Sequence, residues 1–236
     1  PAPARATVGG ALAVGYSGPR RLRYGPLRDI VLEVRFVSAA GRLVTAGGPV
    51  VKNVTGYDLC RLLVGSLGTL GLLAEVVLRC YPRPAASRWF RTAASDDTAT
   101  DPFCLLRRLY RPSSILWDGD GVWVRLEGHP DDVEAQATEV LGPAFVEVGD
   151  GPDSAGAERL SLPPGRLAGL PKPPSGPRWL AEIGVGAVHT DHPADLAAAV
   201  GLAWPPTLEP RVAQLHRDLK QRFDPAGRLN PGRRVL

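Results

Sequence analysis

The sequence predicts an α+β protein in two parts, with a small α+β cap domain built on an antiparallel sheet. Three observations carry that expectation. Residues 1–84 and the tail from 208 share one style, in which glycine turns separate short apolar runs. The middle, 85–207, reads instead as strand, helix, hairpin, helix and strand, an order that folds onto an antiparallel sheet. The stretch VVKNVTGYDLCRLLVGSLGTLGLLAEVVLRCYPRP, Val50 to Pro84, packs a short apolar helix, a glycine-rich turn and an apolar strand into about thirty residues. The expected organisation is therefore 1–84, then 85–207 as the cap, then 208–236 returning to the first part.

Taken in order, Thr7-Val8-Gly9-Gly10 turns into the apolar run Ala11 to Val14, the start of a helix. Asp29 to Val37 alternates apolar and charged residues as a half-buried strand does. Ala40-Gly41-Arg42 is a hairpin turn into a second strand, Leu43 to Thr45. Asp58 is placed to cap a helix from Leu59 to Val64, whose Leu59, Leu62 and Leu63 share one face. Gly65, Gly68 and Gly71 lie between that helix and a strand from Leu70 to Cys80, which Pro82 and Pro84 terminate. Glycines concentrate in such a place because the backbone needs positive φ, or because something approaches closer than a Cβ allows.

In the middle, Ser87 to Thr92 reads as a strand and Phe103 to Tyr110 as a helix with Leu105, Leu106 and Leu109 on one face. Asp118-Gly119-Asp120-Gly121 joins two strands in a hairpin. Pro130 to Leu141 is a helix, opened by Pro130, Asp131 and Asp132 and closed by Gly142-Pro143. A short strand follows at Phe145 to Val148. Residues 149–177 are expected to be a long, mostly irregular connection, and Trp179 to Thr190 one strand bulged at Gly184 or Gly186. The tail, Glu209 to Phe223, is an amphipathic helix with Val212, Leu215, Leu219 and Phe223 at helical spacing. It ends in the double turn Asp224 to Gly232.

Composition narrows the function classes. The chain has 236 residues, 44% hydrophobic and 22% charged, enough for a core without staples. A net charge of +4 over this length, with no basic stripe, argues against nucleic acid as a partner. No run approaches the ~18 apolar residues a membrane span needs. Cys60, Cys80 and Cys104 form neither a disulfide framework nor a metal clip, which fits a reducing cytoplasm. His189 and His192 have an HxxH look, but that spacing at a strand end points the rings to opposite faces, so no metal site is expected. The chain holds no methionine, so it is expected to begin inside a longer reading frame.

Three blocks then acquire a joint meaning. ATVGGALAVGYSGPRRLRYGPLRDIVLEVRFVSAAGRLVTAGG, the Val50–Pro84 block and the tail FDPAGRLNPGR resemble, in this order, the PCMH-type FAD-binding domain of vanillyl-alcohol-oxidase-type flavoproteins. Within that superfamily the closest resemblance is to the FAD-binding E subunits of bacterial glycolate oxidases. The likeness is strong over 5–84 and 213–234 and loose between them. It implies FAD, held noncovalently, with Thr7, Gly9, Gly10, Ser17 and Gly18 lining its second half. Gly68, Thr69, Gly71 and Leu72 would form the wall facing its ring, and Asn230 would approach the flavin side.

The resemblance also implies an FAD-dependent oxidoreductase acting on a small 2-hydroxy acid such as glycolate. Its partners would be a catalytic flavin subunit and an iron–sulfur subunit, at a cytoplasmic location peripheral to the inner membrane through those partners. It implies no identifiable catalytic base. The family carries about a hundred further residues upstream, with the first pyrophosphate-binding loop, so FAD binding by this chain alone is expected to be weakened. Two alternatives stay open: a non-catalytic scaffold docking onto partner subunits, and a stand-alone oxidase of another alcohol or hydroxy acid.

Taken singly, each motif has a plainer reading. Gly9-Gly10 can be a helix-initiating turn, Gly65 to Gly71 a helix cap plus a bulge, and Asn230-Pro231-Gly232 an ordinary turn. Tyr57 and Asp58 read as core packing and helix cap rather than catalysts. Arg20, Arg21 and Arg23 could bind phosphate, face an acidic partner or sit in water.

Overall fold

A computed structural model describes residues 6–50, 58–93, 98–172 and 176–233. In chain order it holds helices α1 (Val8–Val14) and α2 (Arg21–Tyr24), then strands β1 (Val31–Val37) and β2 (Leu43–Gly47). Helix α3 (Leu59–Leu63) precedes β3 (Leu72–Leu78) and β4 (Ala86–Ala93). Helix α4 (Pro102–Arg108), strands β5 (Ser114–Trp117) and β6 (Gly121–Gly128), and helix α5 (Pro130–Ala135) follow. Then come strands β7 (Val146–Val148), β8 (Glu158–Ser161), β9 (Trp179–Glu182) and β10 (Ala187–Thr190), and helices α6 (Pro193–Ala199) and α7 (Pro210–Phe223).

The chain packs as two compact units. The first comprises 1–18, 25–81 and 208–236; the second comprises 19–24 and 82–207.

In the first unit a three-stranded antiparallel sheet runs β2-β1-β3. Val34 and Phe36 of β1 point to its buried face, where Leu12 of α1, Cys60 and Leu63 of α3, and Leu70 complete a core. Phe223, the last residue of α7, packs on the same core. Asp58 caps α3 through Oδ1, which accepts the Arg61 N–H at 3.0 Å. β1 starts at Val31 rather than Asp29, because Leu27–Asp29 turn as a 3-10 helix. The stretch Val51 to Tyr57, with the core role expected of Tyr57, lies outside the described residues.

Gly71 shows why this unit needs a residue without a side chain. A Cβ there would stand 2.5 Å from the Phe36 ring. Gly71→Ala is therefore expected to cost ~1–3 kcal/mol by overpacking. A urea melt reads it; a midpoint equal to wild type would show that Phe36 can move aside.

The second unit is a seven-stranded antiparallel sheet, ordered β7-β4-β6-β5-β9-β10-β8. One face carries Phe90, Val122, Val124, Leu126, Ile115, Trp117, Ala181 and Val188. α4, α5 and α6 cover it with Leu105, Val133, Leu196 and Ala197. The other face holds Leu116, Trp123 and Leu180, with Trp89, Val148 and Ala155 against them. Between β7 at one edge and β8 at the other, residues 149–157 cross that second face. Nine extended residues reach at most ~30 Å, close to six strand spacings of ~4.8 Å, so the strap must lie low on the sheet. Gly151 shows how low: a Cβ would meet the Trp89 indole at 2.7 Å.

Several sequence expectations need correction here. Residues 149–177 are not simply irregular: β8 and a 3-10 segment, Pro164–Gly169, lie within them. The run Trp179 to Thr190 is a hairpin, not one bulged strand. Gly184 (φ 80°) and Gly186 (φ 82°) reverse the chain between β9 and β10. Two glycines that tolerate the left-handed region make a turn as readily as a bulge. Gln136–Leu141 continues α5 as a π-helix, and α6, begun by Pro193, was not anticipated.

Candidate functional site

α1 begins at Thr7, whose Oγ1 accepts the Gly10 N–H at 3.0 Å. It ends at Gly15, φ 72°, whose N–H reaches the carbonyls of Ala11 and Leu12 while Tyr16 N–H also reaches Ala11. This left-handed cap turns the chain sharply toward Ser17 and Gly18. The loop after α3 docks on that same end: Gly65 N–H donates to Leu12 O at 2.9 Å and Leu67 N–H to Ala13 O at 2.8 Å. The approach requires glycine, since a Cβ on Gly15 would lie 3.1 Å from Gly65 Cα.

A third segment closes on this pair. Asn230 Nδ2 donates to Leu67 O at 2.7 Å. Lys220 Nζ of α7 donates to Thr69 O at 2.9 Å, Leu229 O at 2.9 Å and Asp224 Oδ2 at 2.6 Å. Asp224, 2% exposed, also accepts the N–H groups of Arg228 (2.9 Å) and Leu229 (2.7 Å). The Lys220 ammonium, with those two backbone donors, holds the Asp224 carboxyl down at about 2. Lys220 and Asp224 were missed in the sequence. Their i, i+4 spacing before a Pro-Ala-Gly turn was the available signal.

The candidate residues all fall in the first unit, on α1, the turn after it, the 65–72 loop and the C-terminal turn. The clasp brings Gly68, Thr69 and Asn230 together beside the Gly15 turn. Thr7, Gly9 and Gly10 sit at the opposite end of α1, ~10 Å away along a helix of this length. There Gly9 lies over Leu73, 3.8 Å from where its Cβ would be. Ser17 is buried and accepts the Leu27 N–H at 3.0 Å, and buried Thr69 donates its hydroxyl to Ser66 O at 2.7 Å. Gly71 faces Phe36 on its would-be Cβ side, and Leu72 is 65% exposed at the start of β3. Gly18, Gly65 and Gly68 have no atom within 4 Å of a would-be Cβ, leaving bare backbone that a flat group can approach. Open backbone of this kind at Gly18, Gly65 and Gly68 is what a flat cofactor would need to lie against.

The arginines after Gly18 have a different role from those weighed in the sequence. In the second unit Glu127, 1% exposed at its side chain, receives Arg20 Nε at 3.1 Å and Ser113 Oγ at 2.6 Å. Ser87 Oγ donates to it at 3.2 Å, and Arg125 lies at 3.3 Å. Burial works against its charge, yet Ser113 and the guanidinium groups of Arg125 and Arg20 prevail and hold it below the usual carboxylate range. Arg23 donates to the Glu127 carbonyl and Ser114 Oγ to Pro19 O at 2.8 Å, so residues 19–24 are pinned to the sheet. His189 bonds Glu182 at 2.7 Å, and His192 lies 3.6 Å from Asp195. Among the described residues no group of three or more His, Cys, Asp or Glu could hold a metal ion. No helix among them is long and apolar enough to cross a membrane.

The FAD binding domain family matches residues 2–47. The chain superposes on alkyldihydroxyacetonephosphate synthase with a TM-score of 0.60 at 15% identity, over 95% of this chain and 57% of that one. The fold is that of the PCMH-type FAD-binding proteins, α+β with antiparallel sheets. Glycolate oxidase subunit GlcE of Escherichia coli (strain K12) is 34% identical over 97% of this chain and 71% of its own length. The D-lactate dehydrogenase of Archaeoglobus fulgidus is 45% identical over 33% of this chain and 18% of its own. This chain belongs to the glycolate oxidase E-subunit family of FAD-linked oxidoreductases.

Proposed function

We propose that the chain is the FAD-binding subunit of a complex that oxidises glycolate or a related small 2-hydroxy acid. The observation that carries this reading is the clasp of Lys220, Asp224 and Asn230. It ties the C-terminal turn to the glycine loop, whose own Gly65 and Leu67 N–H groups bond the last carbonyls of α1. Gly18 and Gly68 would let the cofactor lie against backbone, and Asn230 would border it beside Leu67. FAD, when bound, supplies the oxidation of the alcohol carbon; this chain supplies orientation and a fixed wall. Noncovalent binding is the reading that the blocks 5–84 and 213–234, which hold no His but His216 of α7, support.

Electrons would leave through an iron–sulfur partner, with a D-type flavin subunit beside this one. Such partners would also account for a cytoplasmic complex peripheral to the inner membrane. The isolated chain is expected to hold FAD more weakly than the assembled complex. The test is flavin absorbance plus glycolate-dependent dye reduction, for the chain alone and co-expressed with its neighbouring subunits. Flavin in the complex that declines when Asn230 is changed to Leu supports the reading. A complex that assembles with the same flavin content whether Asn230 is native or changed to Leu would sink it and favour a scaffold.

A further inference from the structure

We propose that the β9–β10 hairpin and β8 form a binding row for a small hydroxy acid, made by Arg159, His189 and Glu182. Among the described residues, only two buried side-chain polar atoms lack a hydrogen-bond partner: Arg159 Nε and Glu182 Oε2. Both flank one histidine. In the sheet register His189 stands directly opposite Arg159 of β8, and opposite Leu180 of β9. Glu182 is the diagonal neighbour, since it pairs with Ala187 two residues before His189. Leu160, Ala181 and Val188 point to the helix-covered core, so by alternation Arg159, Glu182 and His189 share the opposite face.

The local sequence fixes this arrangement. The Gly184 and Gly186 turn holds β9 against β10, with Val185 and Gly186 N–H groups donating to the Glu182 carbonyl at 3.2 and 3.0 Å. Glu182 Oε1 is then taken by His189 Nε2 at 2.7 Å, which leaves Oε2 alone beneath the surface. Glu182 and His189 side chains are 3% and 14% exposed. An unpaired buried polar atom costs ~1–3 kcal/mol, and more when charged, so two in one row imply that something else completes them.

The chemistry of that missing group follows from the two orphans. Arg159 Nε is a donor and needs an acceptor; Glu182 Oε2 is an acceptor and needs a donor. A bare anion such as phosphate meets repulsion at Glu182, and a bare cation meets it at Arg159. A molecule with a carboxylate and a neighbouring hydroxyl satisfies both, the carboxylate on Arg159 and the hydroxyl on Glu182. This deepens the functional reading above, and rests on it only for the choice of glycolate as probe.

Titration of the full chain with glycolate and with acetate, followed through the Arg159 Nε–H and His189 ring resonances by NMR, tests the row. Glycolate is expected to shift both saturably, and acetate, lacking the hydroxyl, to bind at least about tenfold more weakly. Arg159→Met, on a half-buried edge strand, should abolish the glycolate shift at His189. Absence of a saturable shift, equal binding of acetate, or an unchanged response in Arg159→Met would mean that water alone fills the row. Each would overturn the proposal. The measurement needs no flavin, so a failure to bind FAD leaves its outcome intact.

Discussion

Glu127→Ala is expected to destabilise the second unit by ~3–5 kcal/mol, the cost of removing one partner from a buried ion pair. The size follows from what the side chain holds. Its carboxylate accepts from Arg20, Ser113 and Ser87, and Arg125 lies 3.3 Å away. Without it those groups lose their common acceptor, and Ser113, fully buried, has no water to replace it. Glu127→Gln keeps the shape and is expected to cost less, ~1–3 kcal/mol. Urea unfolding gives the difference. A second readout is local: trypsin should cut after Arg20, Arg21 or Arg23 sooner in the variant, because those residues are pinned to the sheet partly through Glu127. Equal cutting in both proteins would show that Ser114 and Pro19 suffice to hold the segment. The acid behaviour carries a sign as well. The native carboxyl titrates below its ordinary ~4.3, so its contribution is complete above that value and is lost as pH falls through the lowered one.

Much of the first unit was legible because its signals are local. Asp58 reads as a cap from its position alone, and Gly41 marks the β1–β2 hairpin in a few residues. The order of the three blocks also pointed to the flavoprotein fold, which no single block could do. Long-range partnerships were not legible. Arg20 looks like a solvated charge until Glu127, far along the chain, is brought beside it. Lys220 looks like one more exposed helix lysine, and nothing local says that it reaches Thr69 O. Gly184 and Gly186 illustrate the remaining ambiguity. Bulge and turn use the same residue at positive φ, and only the antiparallel pairing of β9 with β10 decides between them. Gly71 was assigned to a ligand wall, and its would-be Cβ direction is filled by Phe36, a partner distant in sequence.

Breaking the clasp should separate fold from function. Lys220→Met removes the ammonium that joins Thr69 O, Leu229 O and Asp224 Oδ2, while Asp224 keeps the Arg228 and Leu229 N–H groups. The turn should therefore stay folded on itself yet lose its tie to the glycine loop. Flavin affinity is expected to fall roughly tenfold, because a wall that was pre-organised must now be ordered on binding. Asp224→Asn acts on the other side of the clasp and has a pH signature. The native carboxyl is held at about 2, below the ordinary ~3.9 of an aspartate. Its stabilisation is thus full above ~4 and disappears as pH falls toward 2, and the asparagine variant should lack that acid limb. Thermal unfolding across this range, with flavin titrations of both variants in the assembled complex, provides the check. An unchanged acid limb in Asp224→Asn would remove the clasp from the stability of the unit. Unchanged flavin affinity in Lys220→Met would remove it from the cofactor site, and with it the reason for placing FAD against Gly68 and Asn230.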